Sequence, residues 1–410
     1  MLTRRAALGA TAALATTAVT ARRGRAQSNP PIRIGVVNDQ SGVYSAIGGA
    51  GSVACVKQAI ADFNAHSPGL NVEVLVGDHQ NKPDIAVSIV RQWLDQGVDA
   101  VMDIQSSAAA LALNDIVRQR NKVMLATDAG TSALTGPGCS PNTLHYGYDT
   151  YMMSKVTGGA TVRQGGDTWY VLYADYAFGK SMAADVTQVV KNAGGKVLGT
   201  TAVPFPNNDF SSFLVQAQAS GAKVIGLAEA GGDLVNAIKQ AAEFGITQRG
   251  QKLAALLMFI TDVHALGLKT AQGLVLANSF YWDLDDRSRG FAKRVWAALG
   301  DKAPNMCHAA NYSAALHYLR AAKAMGVANL KASGLEAVNW MKAHKIEDDV
   351  LNDASIRPDG RVVCEAYLCE VKKPEESKHP WDYYKVLARV PPEQAWRPLS
   401  EGGCPLANKA

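Results

Sequence analysis

The 410-residue chain lacks most of the short patterns that mark an enzyme. It has no GxSxG elbow, no HExxH and no other paired-histidine zinc spacing, and its eight histidines are scattered, so neither common hydrolase type has a motif to stand on. No CxxC occurs among the six cysteines, which removes the zinc ribbon and the thiol redox pair. The glycine cluster Gly48-Gly49-Ala50-Gly51 does not meet GxGxxG, and the octapeptide ADYAFGKS at Ala174–Ser181 stops short of a phosphate loop. Ala174 takes the place of its first glycine, and Asp175 would set a carboxylate where phosphate belongs. Beyond Ala26 no apolar run reaches the ~20 residues that span a bilayer. The formal net charge of +5 owes much to Arg4, Arg5, Arg22, Arg23, Arg25 and Arg33, and no basic stripe of a nucleic-acid binder follows.

What is present begins with an export pattern. Met1–Ala26 runs from Arg4-Arg5 through a weakly apolar Ala/Thr/Leu segment to the small residues Gly24-Arg25-Ala26, the order of a bacterial signal of twin-arginine type. A mature protein starting near Gln27 is expected to be soluble and, by its length, to form two domains. In an oxidising compartment the six cysteines permit fifteen complete pairings. Cys364 and Cys369, read on one strand about 16 Å apart, exclude each other, leaving Cys55, Cys139, Cys307 and Cys404 open.

The stretch Val98–Leu134 organises the rest. Val98–Ile104 reads as a buried strand, Ser106 and Ser107 stand where a helix begins, and Ala108–Gln119 carries Leu111, Leu113, Ile116 and Val117 as its buried stripe. Lys122–Thr127 repeats the strand and ends in Asp128-Ala129-Gly130-Thr131-Ser132. In an open parallel sheet such turns gather at the carboxyl ends of the strands, where helix N-termini offer unpaired N–H groups. Ser106, Ser107 and Thr131 can there grip a carboxylate, although the same residues serve as ordinary N-caps.

Strands at Ile32–Val37 and Val72–Val76 precede this stretch, and Thr168–Tyr173, Lys196–Val203, Val224–Leu227 and Ala254–Ile260 follow as a second strand–helix series. Past Leu274 the chain turns through YWDLDD to helices over Ser288–Leu299 and Ala309–Met325. An alternating strand is expected at Arg361–Val371, then a proline-rich, mostly extended tail. His264 and Trp282 read as packing residues.

Several segments in order, IRIGVVNDQSGVYSAIGGAGSVACVKQAIADFN, the Asp78-His79-Gln80 turn with Pro83, IQSSAAALA, MLATDAGTSALT, YADYAFGKS and TAQGLV, resemble the periplasmic substrate-binding proteins of ABC importers, in the leucine/isoleucine/valine-binding family. The likeness runs from about Ile32 to Val371. It implies an α/β fold of two Rossmann-like lobes with parallel-rich sheets, joined by a three-crossing hinge, that shut on a ligand and dock on an inner-membrane permease. The division implied is 27–148 with 283–355 for the first lobe, 149–282 with 356–390 for the second, and an extension at 391–410.

By the same resemblance Ser106, Ser107, Ala129, Gly130 and Thr131 hold a carboxylate, Tyr44 leans over the ligand, and Tyr176 and Phe178 cover it from the second lobe. Glu229 and Asp262 fall near the acid that holds an amino group. Ala230 stands where an aromatic is common, and the loop around Asp262 is shortened. An acid near the ligand would favour an amine or amide, and its absence a plain carboxylate such as an aromatic acid. The reading is of a monomeric binding protein, with no enzyme activity, cofactor, metal or nucleic acid. An exported hydrolase or nucleotide-binding protein on a related fold is the alternative.

Overall fold

The computed structural model describes residues 30–407, so the export segment lies outside it. Strand β1 (Ile32–Asn38) is buried along nearly its whole length, whereas β2 (Val72–Asp78) is half-exposed, which separates a central strand from an edge. With β3 (Ala100–Asp103), β4 (Val123–Ala126) and β5 (Thr143–His145) they form a parallel sheet in the order β2-β1-β3-β4-β5. A second parallel sheet repeats the contrast. Buried β6 (Thr168–Ala174) and β8 (Val224–Ala228) lie inside edge strand β7 (Lys196–Val203) and β9 (Lys252–Ala255), in the order β7-β6-β8-β9. Each sheet reverses its direction of growth once, between β1 and β3 and between β6 and β8, and a crevice opens at the carboxyl ends there.

Two expected strands end early. The apolar run to Ile260 leaves the sheet after Ala255, because the Phe259 N–H donates to Asp262 at 2.9 Å and starts the helix Ile260–Leu266. Arg361–Val371 is broken: β10 (Val275–Asn278) is followed by the small pair β11 (Ser355–Ile356) and β12 (Val362–Val363), and only β13 (Ala366–Val371) joins β10 and β14 (Tyr384–Val390) in an antiparallel sheet. Cys364 thus lies off the strand that carries Cys369.

The chain passes between the lobes three times, after β5, after β10 and after β12. The helix Met306–Met325 returns to the first lobe and is buried nearly all round. There Asn311 Nδ2 donates to Ser52 at 3.1 Å and Tyr312 to Asp62 at 2.8 Å. At the crossings Arg361, fully buried, donates to Tyr148 O at 3.0 Å and stacks on Trp396, 4.3 Å from the ring centre. The tail is therefore folded onto the hinge, and Cys404 bonds Cys139 of the first lobe, while Cys55, Cys307, Cys364 and Cys369 are buried free thiols. No described helix is long and apolar enough to cross a membrane.

Candidate functional site

The carboxyl end of β3 is the fixed point of the site. Asp103 and Ile104 take left-handed backbone, with φ of 76° and 59°, an uncommon state for any residue but glycine and rarer still for isoleucine. Strand β3 stops there, short of the expected Ile104. The Asp103 carboxylate accepts from Asn38 Nδ2 at 2.6 Å and Asn311 Nδ2 at 3.2 Å, tying β1, β3 and the helix Met306–Met325 together. Burial, with Asp128 adding to it, pushes Asp103 up to about 7. The turn delivers Gln105, whose Oε1 accepts from Asp39 N–H at 2.7 Å and whose Nε2 donates to Tyr44 O at 3.1 Å. One amide thus sets the Asp39–Tyr44 loop over the crevice.

Between the lobes lies a cavity closed down to about 10 Å³, the room of a single water. Tyr44, Ile47, Gln105, Asp128 and Gly130 line it from the first lobe, Tyr148 from the first crossing, and Tyr176, Phe178, Ala230 and Leu257 from the second lobe. The Tyr44 and Tyr176 hydroxyls meet at 2.7 Å, and Phe205 stacks on Tyr176 with ring centres 4.5 Å apart. Asp128 Oδ1 accepts from the Cys307 thiol at 2.7 Å, with the Tyr148 hydroxyl 3.2 Å away. The Gln105 amide lies alongside and with these two holds the carboxyl down, yet burial outweighs them and lifts Asp128 to about 6. No donor of the described residues is in hydrogen-bonding geometry with Oδ2.

The glycine cluster serves this close approach rather than a dinucleotide. A Cβ on Gly48 would stand 2.5 Å from Gln105 Nε2 and 2.9 Å from Asp128 Oδ2. In the near-phosphate loop, Lys180 is exposed and paired with Asp175 at 2.9 Å.

Of the residues expected from sequence, Tyr44, Gly130, Tyr176 and Phe178 line the cavity. Ser106, Ser107 and Thr131 do not, because their hydroxyls serve the frame. Ser106 Oγ caps the following helix at Ala109 N–H, 3.4 Å away, and Ser107 Oγ accepts from Thr131 N–H at 3.1 Å. Thr131 Oγ1 bonds Ser181 Oγ at 3.2 Å and caps Ala133 N–H. Ala129 is buried, its carbonyl bonded to His145 Nε2. Asp262 caps its own helix, away from the cavity lining, and burial lifts it to about 7. Glu229 follows β8 beside the lining. It is 0% exposed, neither carboxylate oxygen has a partner among the described residues, and burial holds it well above the usual carboxylate range. Sequence reading passed over Gln105, Asp128, Tyr148 and Leu257, though Gln105 and Asp128 directly adjoin the serines and the Ala-Gly-Thr segment that it singled out.

Elsewhere, His264 stacks on Trp381 at 4.2 Å and Trp282 Nε1 donates to Trp381 O at 3.0 Å, both as packing residues. The ligand atoms of Asp283, His379 and Asp382 lie within 4.8 Å of one another, but Arg289 and Lys372 already neutralise the two acids. A larger open groove of about 760 Å³ lies over Asp62 and Arg294, walled by the first lobe with the helices that return to it, and in it Arg294 pairs with Asp62 at 3.0 Å and with Asp349 at 2.8 Å.

Two parallel-sheet lobes that wall a single cavity with their carboxyl ends define a hinged binding module. The chain belongs to the periplasmic binding protein family, whose model matches residues 31–378. No curated protein matches it in sequence. A periplasmic binding protein of Burkholderia mallei is 48% identical, with 92% of this chain and 99% of that one covered and a TM-score of 0.87. A branched-chain amino acid ABC transporter periplasmic ligand-binding protein of Burkholderia xenovorans is 39% identical, covering 92% and 100%, with a TM-score of 0.81. A solute-binding protein of an R. palustris ABC transporter, solved with benzoate, shares the fold at 19% identity, covering 88% and 97%, with a TM-score of 0.78.

Proposed function

We propose that this chain is the periplasmic solute-binding component of an ABC importer. It captures a small polar solute between its lobes, closes over it and presents the closed complex to a membrane permease. What carries the reading is one cavity walled from both sheets and shut by the 2.7 Å bond between Tyr44 and Tyr176. Residues 27–148 with 283–355 act as one rigid body and 149–282 with 356–390 as the other, with 391–410 as an extension and 1–26 as the export signal. Tyr44, Gly130, Tyr176 and Phe178 cover the solute, while Ser106, Ser107, Ala129 and Thr131 keep the first-lobe floor in shape. Glu229 belongs to the solute's surroundings, and Asp262 supports the loop beneath Leu257. The protein does no chemistry on its solute, and it acts as a monomer without cofactor, metal or nucleic acid.

Candidate solutes are branched-chain or other hydrophobic amino acids, amides and aromatic carboxylates; the Burkholderia xenovorans relative is a branched-chain amino acid ABC transporter ligand-binding protein, and the R. palustris protein of the same fold was solved with benzoate. The test is a thermal-shift screen over these classes. A ligand at 100 times its Kd stabilises the folded state by about 2.7 kcal/mol, which moves the melting temperature measurably. The bound solute is then recovered and analysed. A shift with unchanged solute is expected; a solute that is turned over, or no shift from any class, would defeat the proposal.

A further inference from the structure

The proline-rich tail runs from one lobe to the other. It leaves β14, whose sheet shares a core with the second lobe through Tyr367, Cys369, Val371 and Tyr384, and it finishes on the first lobe at the Cys139–Cys404 bond. Cys139 is fixed there, because the carbonyl of its neighbour Gly138 accepts from Asn114 on the helix Ser107–Gln119. Between those ends the tail is seated step by step. Trp396 Nε1 donates to Cys364 O at 2.7 Å on the third crossing, and its ring takes the Arg361 guanidinium. Arg397 O accepts from Arg357 at 2.6 Å, while the Arg397 guanidinium donates to Ser132 O at 2.9 Å. Gly402 then lies flat on the first lobe, its carbonyl 2.8 Å from where a Cβ on Gly136 would stand. The disulfide therefore closes a path between the lobes that has little slack in it.

Ser132 ties this path to closure. Its carbonyl is held by the tail, its hydroxyl donates to Asp185 of the second lobe at 2.8 Å, and its N–H donates to Thr150 Oγ1 at 3.1 Å. One residue thus receives the tail on one side and the opposite lobe on the other. Any rotation of the second lobe moves β14 relative to Cys139, and the tail can follow only as far as its sulfur anchor allows.

We infer that the tail is a strap across the hinge: the Cys139–Cys404 bond makes it a fourth covalent crossing, which limits how far the solute-free lobes open. The three peptide crossings alone leave a wider range. Restricting the open state raises the share of molecules ready to close, so the bond also favours capture. The inference rests on the lobe motion of the proposed function.

Solute-free protein tests it in three forms: the wild type, the Cys139→Ser/Cys404→Ser double variant, and folded wild type treated with a trialkylphosphine. Cys139 is part-exposed, so the reagent can reach the bond. The phosphine gives two electrons to the S–S bond and takes the oxygen of one water, whose two protons complete the two thiols. Small-angle scattering is expected to give both bond-free forms a larger radius of gyration than the wild type. Hydrogen exchange at Gly42–Ile47 and Tyr176–Ser181, which carry the two tyrosines of the cavity mouth, should quicken roughly fivefold more than at Ile225–Leu227, a core strand whose exchange reports global stability. A bond that only stabilises the fold would lower the melting temperature and leave the radius unchanged. Equal radii, or exchange quickened alike in all three segments, overturns the inference. If the double variant does not fold, the reduced wild type decides alone, and unfolding of that protein on reduction also overturns it. No solute enters these measurements, so their failure leaves the binding reading to the thermal-shift screen.

Discussion

Tyr44 Oη lies 2.7 Å from Tyr176 Oη, one hydroxyl from each lobe, at the mouth of the cavity. Burial raises both phenols far above any physiological pH, so the contact is a neutral hydrogen bond. Such a bond contributes about 0.5–1.5 kcal/mol net. That is small enough for the lobes to part again, as a carrier that releases its cargo requires. Tyr44→Phe and Tyr176→Phe should each weaken solute affinity roughly two- to tenfold, and the double variant should be no worse than the poorer single one. Titration calorimetry on the four proteins measures this. Additive losses would mean that the two hydroxyls act independently and do not form the closing contact.

A second closing contact involves backbone. Gly231, which opens the helix after β8, has φ of 57°, and a Cβ there would stand 2.9 Å from Val43 O in the first lobe. A peptide carbonyl cannot rotate aside as a side chain can. Gly231→Ala should therefore hold the lobes apart, and left-handed backbone adds about 1–2 kcal/mol for a residue with a Cβ. Gly232 is the control, since its Cβ would meet only Val43 Cγ2 at an ordinary 3.4 Å. Small-angle scattering with saturating solute should give a larger radius of gyration for Gly231→Ala than for wild type or Gly232→Ala, with affinity reduced roughly tenfold or more. Equal radii and affinities would remove Gly231 from the closure surface.

Most of the frame was legible because buried parallel strands are short apolar runs. Ile32–Val37 and Val224–Leu227, read as such runs, fall within the buried strands Ile32–Asn38 and Val224–Ala228, while Lys196–Val203, also read as a strand, is a half-exposed edge. The same signal failed at Leu256–Ile260, where the run stays apolar and buried while the chain leaves the sheet, since periodicity cannot separate a buried strand from a buried turn. It failed again at Arg361, which is charged yet fully buried because the crossing needs a multi-donor group between Tyr148 O and the Trp396 ring. The Cys139–Cys404 bond spans 265 residues, and nothing local marks it. At the site, the turns read from the sequence are those that reach the cavity, but Ser106, Ser107 and Thr131 do not line it. Small hydroxyls drew attention as anion holders, whereas left-handed backbone at Asp103 and Ile104 turns the chain to Gln105, which lines the cavity with Asp128 from the end of β4.

Asp185 joins the lobes on the hinge side and gives the closed form a pH dependence of its own. From the second-lobe helix Ala177–Asn192 it accepts from Ser132 at 2.8 Å in the first lobe and from Thr150 at 2.6 Å in the first crossing. Burial, only partly offset by these donors, lifts its carboxyl to about 6 from an ordinary value of 3.8. Between those values the folded protein keeps a proton that the unfolded chain has released. Folding stability attributable to this group is therefore greatest below about pH 4 and falls as pH rises through about 6. At 1.36 kcal/mol per pKa unit the loss amounts to about 3 kcal/mol. Asp185→Asn keeps an acceptor for Ser132 and Thr150 but cannot titrate. Urea unfolding at intervals from pH 4 to 8 should show the variant gaining on the wild type up to about pH 7, with a constant difference above. Measuring the difference cancels the opposing contributions of buried histidines such as His79 and His308, which are common to both proteins. Parallel curves over the whole range would place the Asp185 carboxyl near its ordinary value, and the latch would then have no dependence on pH.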